Sequence, residues 1–219
     1  MKLIQFFADN GSYILEKVGE HLYLAGVAVL LACLVGIPVG FLITNNKKVA
    51  SIVVGVANTI QTIPSLALFA FAISVFGIGA DNAIFALFLY ALLPIIKNTL
   101  IGIRNVSPTM IEAARGMGMS RGQIMFQVEV PLAISVIMGG VRIATVTAIG
   151  IATIATLIGA GGLGQLIYQG IGMMNYEMIF AGAICSAALA LLADFLLGLV
   201  EKKLTSKGLS KSMQRAKPL

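Results

Sequence analysis

The sequence predicts an all-α integral membrane protein with about five transmembrane helices. Hydrophobic residues make up 58% of the 219 residues and charged residues only 11%, whereas a soluble domain carries about 25% charged residues. Several apolar runs also reach the roughly 20 residues that a helix needs to cross a bilayer. These two observations exclude an ordinary soluble domain and predict a bundle of membrane-spanning helices.

The apolar runs and the polar segments between them predict the spans in order. We expect five, at about residues 22–43, 51–76, 83–103, 132–158 and 177–200. The first ends at the polar run 45–48, and the second and third contain Pro64 and Pro94. The glycine-rich run 159–164 ends the fourth, because glycine favours helix ends and turns.

The basic residues predict the orientation of these spans. Lysine and arginine concentrate on the side that holds residues 105–131, and the opposite side holds only Lys2 and Lys17. Because cytoplasmic loops carry the excess of basic residues, three segments are predicted: an extracellular N-terminal segment 1–21, a transmembrane domain 22–200 and a basic cytoplasmic tail 201–219. The net charge of +6 is attributed to this topology and to membrane lipid, not to a nucleic acid.

A polar island, residues 105–131, separates the third predicted span from the fourth. Pro108 is tolerated in a first helical turn, and Gly116 and Gly118 are expected to end that short helix. Ser120 can cap a second short helix, and Pro131 marks the start of the fourth span. The island therefore predicts a helix–glycine–helix elbow in water. Such an elbow is either a docking surface for a soluble protein or an ordinary connector.

The island resembles the signature segment of ATP-binding-cassette (ABC) importer permeases. Its matching positions are Glu112, Ala113, Ala114, Gly118 and Pro131, with valines 128 and 130 where the family usually has isoleucine and leucine. The resemblance implies the type I ABC importer permease fold, with the island as a coupling helix. It also implies that the five matching residues contact a partner ATPase, which binds ATP and Mg²⁺, and that this chain binds no cofactor.

Three further stretches narrow the resemblance to one group of permeases. Residues 62–68, 90–99 and 158–164 resemble permeases for the quaternary-amine osmoprotectants glycine betaine, carnitine and choline. The last stretch also occurs in methionine-importer permeases, so an amino-acid importer stays an alternative. The resemblance implies a bacterial cell membrane, a second permease copy or paralogue, and a separate extracellular or periplasmic substrate-binding protein. An autonomous channel or secondary carrier is a further alternative, but carriers usually show internal repeats.

Polar residues within the second and fourth predicted spans are candidates for a translocation path. They are Asn58, Gln61, Thr62 and Ser65 in the second span and Arg142, Thr145, Thr153 and Thr156 in the fourth. At about 100° per residue, each set falls on one face of a helix. Two such stripes can line a pore between two copies of the domain, or they can hold helices together.

Two charges lie deep within predicted spans, and a buried charge requires a counter-charge. Arg142 and Asp194 are therefore expected to pair if the fourth and fifth spans pack together. The single histidine, His21, is expected to be a boundary residue without a role. The chain contains no Gly-x-x-x-x-Gly-Lys-Ser/Thr loop, which predicts that it is not an enzyme that hydrolyses ATP itself.

Overall fold

The structure is a computed structural model that describes residues 2–205, and all the regular structure in that range is helical. The helices are α1 Lys2–Asp9, α2 Gly11–Leu42, α3 Lys47–Thr62, α4 Ser65–Phe76, α5 Ala80–Arg104, α6 Pro108–Gly116, α7 Arg121–Ile124, α8 Val130–Ala152, α9 Gly164–Gly172 and α10 Tyr176–Leu204. A π-helical turn, Met125–Glu129, joins α7 to α8, and a 3₁₀ turn, Ile154–Ile158, follows α8. Most of the predicted basic tail, residues 206–219, lies outside the described residues.

Within residues 2–205, four helices are long and apolar enough to cross a membrane. They are α2, α5, the continuous helix 121–152 that contains α7 and α8, and α10. Helices α3 and α4 form a fifth span only when this pair, bent by 100°, is counted as one. Helix α5 lies at the centre between α2 and α8, and its small side chains Ala83, Ala86 and Ala91 are almost fully buried. The all-α membrane fold and the count of about five spans are thus confirmed.

The second span is broken, which corrects the sequence-based prediction of one continuous helix. Ile63 and Pro64 are extended, with ψ of 126° and 137°, because a proline ring disfavours the helical conformation of the residue before it. Ser65 therefore begins a new helix and does not share a helical face with Asn58 and Thr62. The predicted stripe of four polar residues is wrong at Ser65, since 100° per residue applies only within an unbroken helix.

The break between α3 and α4 is held against α5 by two side chains. The Gln61 side-chain amide donates to the Tyr90 carbonyl over 2.8 Å, and the Tyr90 hydroxyl donates to the Ile63 carbonyl. In an α-helix the Tyr90 carbonyl accepts from residue 94, but Pro94 has no N–H. The proline inside α5 thus frees the acceptor that anchors Gln61, so Gln61 bridges two helices.

The fourth span also departs from its predicted boundary. Helix α8 ends at Ala152, and the chain then tightens into a 3₁₀ turn. Thr153 follows α8 with a right-handed helical backbone, with φ of −62° and ψ of −30°, whereas Thr156 lies in the 3₁₀ turn. The predicted stripe is therefore wrong at Thr156. The physical reason is tertiary, because Gly164 at the start of α9 packs directly on the Thr153 carbonyl and the returning chain occupies the space that a longer helix needs.

The N-terminal region is more helical and more buried than the sequence predicted. Helix α2 begins at Gly11, so the second half of the segment 1–21 belongs to the first long helix. His21 is 0% exposed, and the expectation that it is a boundary residue is wrong. It is enclosed because α8 and the glycine-rich loop 159–164 both pack against this part of α2.

Candidate functional site

The elbow between α6 and α7 has the helix–glycine–helix geometry that the sequence predicted. Pro108 occupies the first turn of α6, and Gly118 follows its end with φ of +80°. The Gly118 N–H bonds to the Arg115 carbonyl (2.9 Å) and the Met119 N–H to the Ala114 carbonyl (3.2 Å). This pair of bonds is a Schellman motif, which requires a left-handed residue at the position of Gly118.

The signature residues of the elbow divide between its inner and outer faces. Ala114 is 1% exposed and holds α6 against the rest of the chain, whereas Glu112 and Ala113 are exposed. Gly118 and Pro131 are also exposed. Within residues 2–205 the Glu112 carboxylate accepts no hydrogen bond and forms no ion pair. The outer face of α6 thus presents small side chains beside one carboxylate, which leaves room for another protein.

The second arm of the elbow continues into the membrane without a break. Ser120 and Gln123 form a reciprocal capping box, with bonds of 2.8 and 3.4 Å, at the start of α7. The π-helical turn then bonds the Val130 N–H to the Met125 carbonyl. Pro131 therefore does not separate two helices, which corrects the predicted boundary, because proline is tolerated just after this shift in hydrogen bonding. One rod of 32 residues joins the elbow to the membrane.

The expected pairing of Arg142 with Asp194 is present and is part of a larger network. The Arg142 Nε and Nη2 atoms each donate to Asp194 over 2.8 Å, and Nη1 donates to Glu201 over 2.9 Å. Ser135 donates to the second oxygen of Glu201 over 2.5 Å. The sequence analysis missed Glu201, although it lies seven residues after Asp194 and therefore on the same face of α10. The network ties α8 to α10.

Most of the threonines proposed for the path bond to their own helices. Three hydroxyls each donate to a carbonyl three or four residues earlier: Thr62 to Thr59, Thr145 to Val141, and Thr153 to Gly150. Among the path candidates, the Gln61 side chain links α3 to α5 and the Arg142 side chain links α8 to α10, whereas no threonine hydroxyl joins two helices within residues 2–205. Thr156 lines a cavity of about 440 Å³ beside Glu20 and Gln165. The structure thus separates the eight path candidates into several environments.

Helix α3 presents a polar face that has no partner within the described residues. Four exposed residues fall within an arc of roughly 60°: Ser51, Gly55, Asn58 and Thr62. The exposed apolar residues Ile52 and Val56 lie to one side of this arc. Because polar groups at membrane depth are unfavourable against lipid, the polar arc requires water or another protein, and the apolar residues suit lipid.

A buried histidine joins α2 to the glycine-rich loop, a contact that sequence analysis did not find. His21 Nε2 lies 2.9 Å from the Ile149 carbonyl, near the end of α8, and its Nδ1 accepts the Leu163 N–H over 3.2 Å. Since an N–H only donates, Nδ1 is unprotonated and Nε2 carries the proton. The adjacent Glu20 accepts the Gly162 N–H over 2.7 Å. His21 and Glu20 thus provide hydrogen-bond partners for backbone groups near the end of α8 and the start of α9, where helices leave such groups without a partner.

The bundle, the partnerless polar face and the elbow on one continuous helix together indicate a class of protein, the membrane permease subunits of transporters. The chain matches the family described as binding-protein-dependent transport system inner membrane component over residues 36–206. It belongs to this family and is the permease subunit of an ABC importer. This confirms the family that the elbow residues indicated.

Relatives of known function are similar to the chain over nearly its full length. It is 45% identical to the carnitine transport permease protein OpuCB of Listeria monocytogenes, over 97% of each chain. It is 43% identical to the choline transport system permease protein OpuBB of Bacillus subtilis (strain 168), over 99% of this chain and 98% of the relative. Among solved structures, an inward-facing MetNI methionine ABC transporter matches with a TM-score of 0.79 and 26% identity, over 88% of this chain and 96% of that one.

Proposed function

We propose that this chain forms the membrane path of an ATP-driven importer for quaternary-amine osmoprotectants. The observation that carries the transport mechanism is the elbow, whose second arm is continuous with a membrane span as one rod of 32 residues. The similarity to permeases named for carnitine and choline, at 45% and 43% identity, supports the substrate class. The methionine alternative has weaker support, because the MetNI structure shares 26% identity.

The elbow is the surface on which we place the partner ATPase. Its exposed Glu112 and Ala113 suit close approach by another backbone, and Gly118 sets the angle between the two arms. ATP and Mg²⁺ bind to that partner, and its closure moves the elbow. Because α7 and α8 form one rod, the displacement is carried into the bundle and favours one of its two facing states.

The orientation that we propose places the elbow in the cytoplasm and the N-terminus outside. Exposed basic residues gather at the elbow end of the bundle: Lys47, Lys48, Arg104, Arg115 and Arg121. Cytoplasmic ends of membrane helices carry this excess of positive charge. The cavity beside Glu20 and Thr156 then opens on the outer side, where a separate binding protein delivers the substrate.

The path itself lies between two permease copies, or between this chain and a paralogue. The polar arc of α3 at Asn58 and Thr62 needs water or protein beside it, and so does the Arg142–Asp194 pair, whose side chains are 33% and 39% exposed. A second copy facing these groups encloses a hydrated route and removes them from lipid.

ATP-dependent uptake into vesicles tests the proposed function. The permease is reconstituted with its ATPase and binding protein, and uptake of labelled glycine betaine, carnitine, choline and methionine is compared with and without ATP. We expect quaternary amines to accumulate only with ATP. Accumulation of methionine alone excludes the osmoprotectant assignment. Uptake that is equal with and without ATP excludes an ATP-driven import mechanism.

Crosslinking tests the docking surface separately. In a variant without Cys33 and Cys185, Ala113→Cys should crosslink to the ATPase because residue 113 is exposed on α6. Ala114→Cys is the matched control, since residue 114 is 1% exposed and faces inward. Equal crosslinking of the two variants, or none from Ala113→Cys, contradicts docking on this face.

A further inference from the structure

A cleft lies between the elbow and the ends of α2 and α5, and we call it the elbow cleft. Its main cavity has a volume of about 450 Å³ and is lined by Phe41, Ile103, Arg115, Arg121, Met125 and Glu129, among others. A second cavity of about 320 Å³ shares Arg115 and Glu129 and extends the cleft to Arg104 and Glu112. The cleft is large enough for a small polar headgroup.

Arginine is concentrated in the elbow cleft. Of the five arginines in the chain, Arg104, Arg115 and Arg121 line it, and no lysine within residues 2–205 does. Arg104 donates to the Thr44 carbonyl over 3.3 and 3.1 Å. Within residues 2–205, Arg115 and Arg121 form no ion pair and no side-chain hydrogen bond. The planar guanidinium fork matches phosphate oxygens in pairs, which a lysine ammonium does not.

The carboxylates in the elbow cleft do not cancel this charge. Two glutamates, Glu112 and Glu129, line it against three arginines, so the lining keeps a net positive formal charge. Neither carboxylate lies in an ion pair with these arginines. The cleft therefore holds two guanidinium groups that are ready to bind an anion.

Apolar side chains also line the elbow cleft, together with the polar residues Thr44 and Asn45. Phe41 and Ile103 lie at the ends of α2 and α5, next to Met125. Because these helices end here, the cleft lies at the level where lipid headgroups meet water. A phospholipid can place its phosphate against arginine and its glycerol and first methylenes against these apolar side chains, whereas a free phosphate contacts only the arginines.

We propose that the elbow cleft binds the phosphate of an anionic membrane phospholipid through Arg115 and Arg121. The proposal rests on the proposed function only for assigning the cleft to the cytoplasmic leaflet. The bound headgroup lies between the elbow and the ends of α2 and α5. Lipid composition then influences how readily the elbow moves, so anionic lipid regulates the coupling step.

Lipid retention by the purified permease–ATPase complex tests this site without measuring transport. The delipidated complex is mixed with phosphatidylglycerol or phosphatidylcholine and examined by native mass spectrometry. We expect preferential retention of phosphatidylglycerol, and about a fivefold loss of that retention in each of Arg115→Gln and Arg121→Gln. Arg121→Lys, which keeps the charge and removes the fork, should fall between the wild type and Arg121→Gln.

Lys202→Gln is the matched control, because Lys202 is an exposed basic residue at the end of α10 that does not line the elbow cleft. It should change retention by less than about twofold. Equal retention of the two lipids, or equal losses in Lys202→Gln and Arg121→Gln, overturns the proposal. Displacement of phosphatidylglycerol by inorganic phosphate at equal concentration shows a site for free anions and overturns the lipid assignment. If lipid retention depends on the two arginines but the complex does not take up quaternary amines, the proposed function is refuted and the lipid site is still supported.

Discussion

Arg142 shows at the residue scale how one side chain joins two membrane helices. It donates to Asp194 through two nitrogens and to Glu201 through a third. Without the guanidinium, the Asp194 carboxylate has no hydrogen-bond partner within residues 2–205 and the Glu201 carboxylate keeps only the neutral Ser135 hydroxyl. Uncompensated charge at membrane depth is unfavourable. The three residues therefore contribute unequally to stability.

Substitution of these residues should rank their contributions. Arg142→Gln leaves two carboxylates without a cation and should lower the midpoint of thermal unfolding most. Asp194→Asn removes one counter-charge and one of the two acceptor oxygens but leaves Arg142 bound to Glu201, and Glu201→Gln keeps the two bonds to Asp194. Thermal unfolding of the purified protein in detergent measures the order. A smaller loss for Arg142→Gln than for Glu201→Gln contradicts it.

His21 offers a second prediction at the residue scale. His21→Leu leaves the buried Ile149 carbonyl and Leu163 N–H unpaired, and each unsatisfied group costs about 1 to 3 kcal/mol. The free energy of unfolding should fall by roughly 2 to 6 kcal/mol. Leu22→Ala is the control in the same helix, since Leu22 is 47% exposed. A similar change in both variants argues against the capping role of the imidazole.

The elbow shows at the element scale how a turn sets the direction of a long helix. Gly118 closes the Schellman motif, Ser120 caps α7, and the π-helical turn carries the chain into α8. Of the two glycines at the end of α6, Gly118 has a positive φ and Gly116 does not. The angle between the arms therefore depends on one residue.

Replacement of the two glycines separates coupling geometry from side-chain volume. Gly118→Ala forces a left-handed alanine, which costs roughly 1 to 2 kcal/mol, and should reduce uptake while membrane insertion is unchanged. Gly116→Ala meets no atom within 4 Å and should keep its thermal midpoint or raise it, because alanine favours helix. The assays are ATP-dependent uptake and thermal unfolding. Identical behaviour of the two variants shows that the backbone at Gly118 does not matter.

The exposed surface of α3 belongs to the scale of the whole molecule, because in the proposed assembly the groups that cover it do not come from this chain. Asn58 and Val56 are both exposed but point to nearly opposite sides of the helix. In the proposed assembly Asn58 faces the hydrated path and Val56 faces lipid. The two positions therefore differ in access to water, although each chain alone exposes both.

Thiol labelling in intact membranes measures that difference. Starting from a variant without Cys33 and Cys185, Asn58→Cys should react with a water-soluble maleimide at least about tenfold faster than Val56→Cys. The physical reason is that a maleimide in water reaches a thiol in lipid slowly. Labelling in detergent, where lipid is removed, should bring the two rates together. Equal rates in the membrane exclude a hydrated path beside α3.

The sequence determined the features that depend on composition or on a few neighbouring residues. Hydropathy gave the membrane class and the approximate spans, and Pro108, Gly118 and Ser120 gave the elbow, because capping and turn preferences act within one or two helical turns. The signature around Glu112 indicated the family because its residues lie within one short segment of the sequence.

Only the tertiary structure decided the features that join distant residues. Gln61 and Tyr90 hold the break at Pro64, His21 closes the ends of two helices more than 120 residues away, and Gly164 limits the length of α8. The predicted polar stripes failed at Ser65 and Thr156 because helical periodicity ends where packing bends or stops a helix. Local chemistry thus specified which elements form, and contacts between elements specified where they end and which side chains remain exposed.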